Sequence, residues 1–182
     1  MSILKNGEIT SQDDASQQTE KNALPRLPIE NASTSTEPFV GSIYNFANID
    51  WRVLALESGK ALLISESILE ERMFGLGGNF AESELRHYLN GEFYNRFSAD
   101  DRAKVCHSNG DSVFLLSVDE VRKYFNDDAD RVATYNGKAS SWWLRTPCSH
   151  SCRVRLVNDD GSFSSFYSNC EDGVRPALWL NL

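Results

Sequence analysis

Two apolar blocks near the end of the chain decide its predicted fold: Ser141-Trp142-Trp143-Leu144-Arg145-Thr146-Pro147 and Gly173-Val174-Arg175-Pro176-Ala177-Leu178-Trp179-Leu180-Asn181-Leu182. Apolar runs punctuated by turn-forming residues are typical of buried strands. We therefore expect Trp142, Trp143 and Trp179 to be buried and both blocks to serve as scaffold. The segment between the blocks, residues 148–172, is rich in Ser, Cys, Arg and aromatic residues. We interpret this segment as the part that meets a partner.

The first half of this segment predicts a half-buried strand. Residues 153–157 alternate charged and apolar side chains with period two, which is the signature of a strand with one buried face. Val154 and Leu156 would face the core. Arg153 and Arg155 would face outward.

The second half predicts a turn and a returning strand. Asn158-Asp159-Asp160-Gly161 is a turn, because Asp-Gly supplies the positive φ that hairpin loops need. Residues 162–168 would then return beside the first strand. Phe163 and Phe166 lie an odd number of positions apart and cannot share a face, so we expect at least one large aromatic residue to be exposed.

Exposed arginine and aromatic residues are enriched at binding surfaces. The sequence therefore predicts a ligand-binding surface on this segment. Its candidate residues are Ser149, His150, Arg153, Arg155, Phe163, Ser165, Phe166, Tyr167 and Asn169. The alternative is an ordinary edge hairpin with scattered surface aromatics, since single exposed apolar residues are common.

Chain length, composition and net charge limit the class of protein to which this sequence can belong. The chain has 182 residues, of which 41% are hydrophobic, and this suits one domain with a real core plus a tail. Its net charge of −8 argues against nonspecific nucleic-acid binding and against attachment to an anionic membrane, because both need a basic face. No apolar run is long enough to span a bilayer, and the N-terminus lacks the apolar core of an export signal. We therefore expect the protein in the cytoplasm or in a phage particle.

Residues 1–37 predict a disordered N-terminal tail. They are polar and lack apolar periodicity, so they cannot bury enough surface to become ordered. Residues 24–29, Leu-Pro-Arg-Leu-Pro-Ile, either dock as an extended piece or share that disorder. Residues 38–182 form the predicted domain.

Within the domain, the apolar pattern predicts strands first and helices in the middle. Strands are expected at residues 40–44, 49–57 and 61–65, a helical turn at 67–72, helices at 84–91, at 99–105 and after Ser117, and a loop with a helical turn at 127–135. Ser117 and Glu120 predict a capping box, in which each side chain satisfies a backbone donor of the other residue.

Four cysteines leave three interpretations open. Cys148 and Cys152 are separated by three residues, not by the two of a zinc knuckle or a thioredoxin-type site, although His150 lies between them. Neither Cys106 nor Cys170 belongs to a second ligand pair of recognisable spacing. A metal site, a disulfide and free thiols remain, and free thiols are favoured because no export signal is visible. We predict no metal.

The sequence offers no catalytic constellation. His87, His107 and His150 lie in unrelated contexts, and the adjacency of Cys106 to His107 proves nothing, because a nucleophile and its base meet in space. The carboxylates lack a glycosidase-like context. We expect no enzymatic activity and no cofactor.

Several motifs resemble a widespread bacterial and phage family of small domains without assigned function. They are Trp51-Arg52-Val53-Leu54, Lys60-Ala61-Leu62-Leu63-Ile64-Ser65-Glu66, Leu85-Arg86-x-Tyr88-Leu89-Asn90-Gly91-x-Phe93-Tyr94, Phe114-Leu115-Leu116-Ser117, Ser141-Trp142-Trp143-Leu144-Arg145 and Asp172-Gly173-Val174-Arg175-Pro176-Ala177-Leu178. Those domains are similar to the C-type-lectin-like fold, in the branch that includes formylglycine-generating enzymes and the variable proteins of diversity-generating retroelements. The resemblance covers residues 39–182.

In retroelement variable proteins, the C-terminal segment is diversified by adenine-directed mutagenesis and displayed to bind ligands. Randomising the adenines of an Asn codon that ends in C cannot yield Lys, Gln, Glu, Met or Trp. None of those residue types occurs between Cys148 and Cys170, although they are common elsewhere in the chain. The same process would explain cysteines without partners.

The resemblance implies an α+β, C-type-lectin-like domain, with short antiparallel strands, two or more helices and a variable C-terminal hairpin. We predict that this domain binds a protein or glycan ligand through a diversified C-terminal surface. The alternative is a lectin-like or structural module with a fixed ligand such as a glycan. An oxidase similar to formylglycine-generating enzymes is disfavoured, because those enzymes are longer and their paired active-site cysteines have no counterpart here. The sequence identifies neither the ligand nor the oligomeric state.

Overall fold

The computed structural model describes residues 37–182 except Ser108, Asn109 and Ser151. The predicted tail therefore lies outside the described residues, apart from Glu37. The strands are Ile43–Phe46 (β1), Ile49–Glu57 (β2), Lys60–Ser65 (β3), Glu70–Met73 (β4), Val105–Cys106 (β5), Ala133–Tyr135 (β6), Lys138–Ser140 (β7), Trp142–Pro147 (β8), Arg153–Val157 (β9), Phe163–Tyr167 (β10), Glu171–Val174 (β11) and Ala177–Asn181 (β12). The α-helices are Glu84–Tyr88 (α1), Ala99–Lys104 (α2), Val118–Tyr124 (α3) and Asp128–Arg131 (α4). Short 3-10 or π turns cover Phe80–Glu82, Leu89–Phe93 and Tyr94–Arg96.

The first five-stranded sheet has the order β1-β2-β3-β12-β5. Its centre is the predicted hairpin of β2 and β3. The turn residues Ser58 and Gly59 both have positive φ, at 50° and 75°, as a type I′ turn requires. β12 pairs antiparallel with β3, with Leu178 opposite Leu63. The last apolar block therefore lies directly beside the predicted hairpin of β2 and β3.

The second five-stranded sheet has the order β10-β9-β8-β11-β4, and it joins the two apolar blocks. β8 and β11 run parallel, with Trp142 opposite Gly173. A Cβ atom on Gly173 would lie 2.3 Å from the carbonyl oxygen of Ser141, so a larger residue could not approach β8 this closely. A separate two-stranded sheet pairs β6 with β7.

Tryptophan side chains fill the centre of the core. Trp142 and Trp143 are fully buried, as predicted, whereas Trp179 is only half-buried. The indole N–H of Trp142 donates to the carbonyl oxygen of Arg131 at 3.2 Å, and that of Trp143 donates to the carbonyl oxygen of Arg72 at 2.9 Å. Both indoles are therefore buried with their donors satisfied.

Two other local predictions are confirmed. Ser117 and Glu120 form the capping box at the start of α3. The hairpin expected in residues 153–168 forms as β9 and β10, with Val154 and Leu156 buried on the inner face.

The predicted α+β, C-type-lectin-like fold class is wrong. Of the described residues, 41% lie in strands and 23% in helices, and the 12 strands in three sheets are closer to a β-sandwich than to an α+β fold. The longest described helix, α3, has seven residues. None of the described helices is both long and apolar enough to cross a bilayer.

The wrong fold class has a physical cause: two short strands could not be predicted from the sequence. Residues 67–72 were predicted as a helical turn, but the chain from Glu70 onward forms β4, which pairs with β11 far along the sequence. Residues 127–135 were predicted as a loop with a helical turn; the helical turn is present as α4, but residues 133–135 form β6. β4 is stabilised by a partner distant in sequence, so local propensity does not identify it. β6 pairs locally with β7, but its three residues are too few to show a strand period.

Candidate functional site

The outward face of the β9–β10 hairpin carries the candidate site. The two strands pair antiparallel, with Arg153 opposite Tyr167 and Arg155 opposite Ser165. Because side chains alternate between the faces of a strand, these four side chains lie on the same face. We call Arg153, Arg155, Ser165 and Tyr167 the hairpin face.

The opposite face of β9 belongs to the core. Val154 is 0% and Leu156 is 3% exposed, whereas Arg153 and Arg155 are half-buried and Tyr167 is 46% exposed. The inner side chains of β9 thus anchor the hairpin. The outer side chains are available for contact without any change in the core.

The two arginines of the hairpin face have no carboxylate partner among the described residues. Elsewhere in the domain, Arg52, Arg86 and Arg145 each bind a carboxylate at 2.7–2.9 Å. The guanidinium group of Arg153 instead lies 4.6 Å from the ring centroid of Tyr167, in a cation–π contact. In a chain of net charge −8, this face therefore presents two guanidinium groups that form no ion pair with the described residues.

A depression of about 370 Å³ adjoins the hairpin face at Arg155. The β8–β9 loop contributes Cys148 and Ser149 to its wall, and α3 contributes Asp119 and Arg122. Arg122 Nη1 lies 3.8 Å from Asp119 Oδ1, a distance that leaves the guanidinium group only loosely paired. The depression thus adds a second guanidinium group and a carboxylate to the surroundings of Arg155.

The thiol of Cys148 has an unusual environment at this depression. A hydrogen bond from the backbone of His150, followed by one from its side chain, lowers the pKa of Cys148 to about 6. The thiolate therefore predominates at neutral pH. All four cysteines are free. The described part of the chain contains no cluster of three or more His, Cys, Asp or Glu residues that could hold a metal ion.

Ser149 and His150 lie exposed in the β8–β9 loop. Ser149 Oγ is 3.4 Å from His150 Nδ1. The loop places Ser149 in the wall of the depression beside Arg155, so these two predicted site residues are brought together.

The three aromatic candidates differ in how they pack and how exposed they are. Phe163 lies with its ring centroid 4.7 Å from the guanidinium carbon of Arg131 and 5.3 Å from that of Arg122, half-buried against the core. Phe166 is 41% exposed, with its ring 6.0 Å from that of Tyr167. Phe163 therefore packs on the scaffold, whereas Phe166 and Tyr167 are the exposed aromatic residues that the sequence led us to expect.

Asn169 lines a different cavity, a cleft of about 480 Å³ beside β4 and α1. Three polar groups of this cleft bind one another: Glu70 accepts hydrogen bonds from Arg72 at 2.8 Å and from the hydroxyl of Tyr88. Burial, followed by the hydrogen bond to Glu70, raises the pKa of Tyr88 to about 12, so the phenol stays protonated at neutral pH. Because these groups satisfy one another, the cleft is a weaker candidate than the hairpin face.

Sequence reasoning missed the contribution of Arg122. Its position on α3, next to the buried stripe of Val118 and Val121, marks it only as a solvent-facing residue. Nothing in the sequence places it beside Arg155. Cys148 carried a weak signal, as a cysteine without a partner, but it was not among the predicted site residues.

One family model matches the chain, over residues 58–182, and it describes a domain of unknown function, DUF6273. This chain belongs to the DUF6273 family. The DUF6273 match includes both apolar blocks and the whole hairpin, whereas β1 and β2 precede it. No curated protein and no solved structure matches the chain. Nothing in these comparisons links it to retroelement variable proteins, so that resemblance stays a prediction.

Proposed function

We propose that this chain is a ligand-binding protein that recognises its target through the hairpin face, and that a retroelement diversifies this segment. The observation that carries the proposal is the pair Arg153 and Arg155, two guanidinium groups without a carboxylate partner in the described part of the chain. Removing charged groups from water and leaving them unpaired has no structural benefit, which favours a role in binding.

The chemistry of the face favours an anionic ligand. A guanidinium group is a planar fork of donors that matches carboxylate, sulfate and phosphate groups. Tyr167 adds rigid contact area with a polar tip next to Arg153. The ligand we propose therefore carries carboxylate or sulfate groups together with some apolar surface.

Diversification is supported by the composition of the segment and by its place in the fold. Residues 148–170 lack Lys, Gln, Glu, Met and Trp, the residue types that adenine randomisation of Asn codons ending in C cannot produce. The hairpin face is also the outer surface of a hairpin whose inner residues on β9, Val154 and Leu156, are buried. Changes on the outer side would alter binding with little effect on folding, since surface substitutions usually change stability by about 0.5 kcal/mol or less.

Binding can be tested with two charge-matched double variants. One is Arg153→Ser with Arg155→Ser, and the control is Lys104→Ser with Lys138→Ser, which removes the same charge from other exposed positions. Each protein is applied to an array of glycans bearing uronate, sialate or sulfate groups and to a displayed peptide library. We expect at least one ligand that binds the wild type and the lysine variant but not the arginine variant. Equal binding by both variants would contradict the proposal.

Diversification can be tested by deep sequencing of the gene from its native population. We expect differences concentrated in the codons for residues 148–170, at adenine positions. Differences spread evenly along the gene would refute diversification and favour a binding module with a fixed ligand such as a glycan.

A further inference from the structure

β10 is an edge strand, and its open backbone groups can be assigned. Among the described residues, β10 pairs with β9 alone. The hydrogen bonds at the two ends of this ladder run from the Ser168 amide to the Cys152 carbonyl at 2.9 Å and from the Asn158 amide to the Ser162 carbonyl at 2.8 Å. Backbone hydrogen bonding alternates along an antiparallel pair, so the even-numbered residues of β10 bond to β9.

The odd-numbered residues Phe163, Ser165 and Tyr167 therefore point their amide and carbonyl groups toward the free edge. Within the described part of the chain, only one of these groups has a backbone partner, since the Tyr167 carbonyl accepts from the Cys170 amide at 3.0 Å. β10 also contains no lysine or proline, the residues that usually protect an edge strand from pairing. The edge thus offers a short ladder of donors and acceptors.

One arginine of the hairpin face, Arg153, lies beside this open ladder. The guanidinium group of Arg153 stacks on Tyr167, a residue of β10, so its positive charge is displaced from β9 toward the edge. Arg155 is opposite Ser165 on the same face, and its side chain lines the depression shared with α3 and the β8–β9 loop. A strand added to β10 would lie about 4.8 Å beyond it, and its outward side chains would share the face of both arginines.

We propose that the ligand of the hairpin face is an extended acidic peptide segment that adds to the edge of β10 as a further strand. This inference rests on the proposed function and names its partner. The peptide backbone bonds to Phe163, Ser165 and Tyr167, and acidic side chains at alternate positions share the face of Arg153 and Arg155, with Arg153 directed toward the edge. A second copy of the chain would present its own β10, which has no acidic residue, so charge favours an acidic peptide over self-pairing.

The test distinguishes binding through the backbone of β10 from binding through its side chains. Ser165→Pro removes the amide that points to the free edge and leaves the bonds to β9 in place, which an edge strand tolerates. Ser165→Ala is the matched control, because it removes the hydroxyl and keeps the amide. A random linear heptapeptide library displayed on phage is panned against each full-length protein, after melting curves have shown that both variants are folded.

We expect the wild type and Ser165→Ala to enrich peptides with Asp or Glu at alternate positions. These peptides should bind Ser165→Pro about tenfold more weakly, because a backbone hydrogen bond is lost and its neighbours are displaced. N-methylation of alternate amides in a selected peptide should weaken its binding to the wild type in the same way. This measurement decides the question even if Ser165→Pro does not fold.

Three outcomes would overturn the inference. In the first, peptides bind the wild type and Ser165→Pro equally but lose affinity for the Arg153→Ser, Arg155→Ser variant; strand addition is then wrong and the proposed function stands. In the second, no peptide binds in a way that depends on residue 165 or on the arginines. In the third, the chain forms a dimer that Ser165→Pro dissociates, so that a second copy occupies the edge.

Discussion

The guanidinium group of Arg175 lies 5.1 Å from the ring centroid of Trp142, in the interior of the domain. Arg175 is 1% exposed, and its Nε and Nη2 donate to the carbonyl oxygens of Ser65 at 2.8 Å and Glu66 at 3.1 Å. Nη1 has no partner among the described residues. Burial lowers the pKa of Arg175 to about 10, so the group is still charged at neutral pH. This contact joins the two apolar blocks through one buried cation.

Replacing Arg175 should therefore destabilise the domain strongly. Arg175→Ala leaves the carbonyl groups of Ser65 and Glu66 without donors, and we expect a loss of about 2–5 kcal/mol of unfolding free energy. Urea unfolding at neutral pH measures this loss. Arg175→Lys keeps the charge but not the planar fork, and it should fall between the wild type and the alanine variant. A loss below about 1 kcal/mol for Arg175→Ala would show that the buried arginine is not needed for the fold.

Truncation of Trp143 should cost more than truncation of Trp179. Trp143 is fully buried and packs with its ring 5.8 Å from that of Phe74, whereas Trp179 is half-buried. We expect Trp143→Ala to lower the unfolding free energy by about 3–5 kcal/mol, and Trp179→Ala to lower it by less. Thermal melting of both variants gives the order. Equal melting temperatures would contradict the assignment of Trp143 to the core.

The turn of the hairpin should depend on Gly161. Its φ is +84°, and a Cβ atom there would lie 1.8 Å from the carbonyl oxygen of Asp128. Gly137 is a matched control, because its φ is +78° but nothing lies within 4 Å of a Cβ atom. We expect Gly137→Ala to cost about 1–2 kcal/mol, from backbone strain alone, and Gly161→Ala to cost clearly more. Similar losses of unfolding free energy in the two variants would mean that the turn does not pack on α4 as described.

The thiol of Cys148 should react at unusually low pH. Its pKa of about 6 means that the thiolate fraction, and hence the alkylation rate, rises with pH through about 6 and then levels off. The alkylation rate of an ordinary thiol would reach only half of its maximum at about pH 8.5. Iodoacetamide rates between about pH 4 and pH 9 can be measured in a variant with Cys106, Cys152 and Cys170 replaced by Ser.

The matched variant for Cys148 is His150→Ala, made in the same background. It removes the side-chain hydrogen bond but keeps the backbone one, so the reactivity midpoint should move upward without reaching the value of a free thiol. A midpoint near pH 8.5 before this substitution would contradict the environment described for Cys148.

Local sequence patterns predicted the β9–β10 hairpin correctly but led to the wrong fold class. The alternation in residues 153–157 and the Asp160-Gly161 turn identified β9 and β10, because their pairing joins residues a few positions apart. The short strand β4 escaped notice, because its partner β11 lies far along the chain and its four residues carry no clear apolar period. An α+β fold was therefore predicted where strands predominate.

The sequence by itself determined that Val154 and Leu156 are buried and which face of β9 points outward, since both depend on period-two alternation and on turn residues close together in the chain. Which residues of the chain lie beside that face was decided by the tertiary structure alone. Arg122 reaches the depression beside Arg155 from a separate helix, and Arg175 bonds to Ser65 across 110 positions. Contacts of this kind arise when distant strands pack into one core, and no local pattern records them.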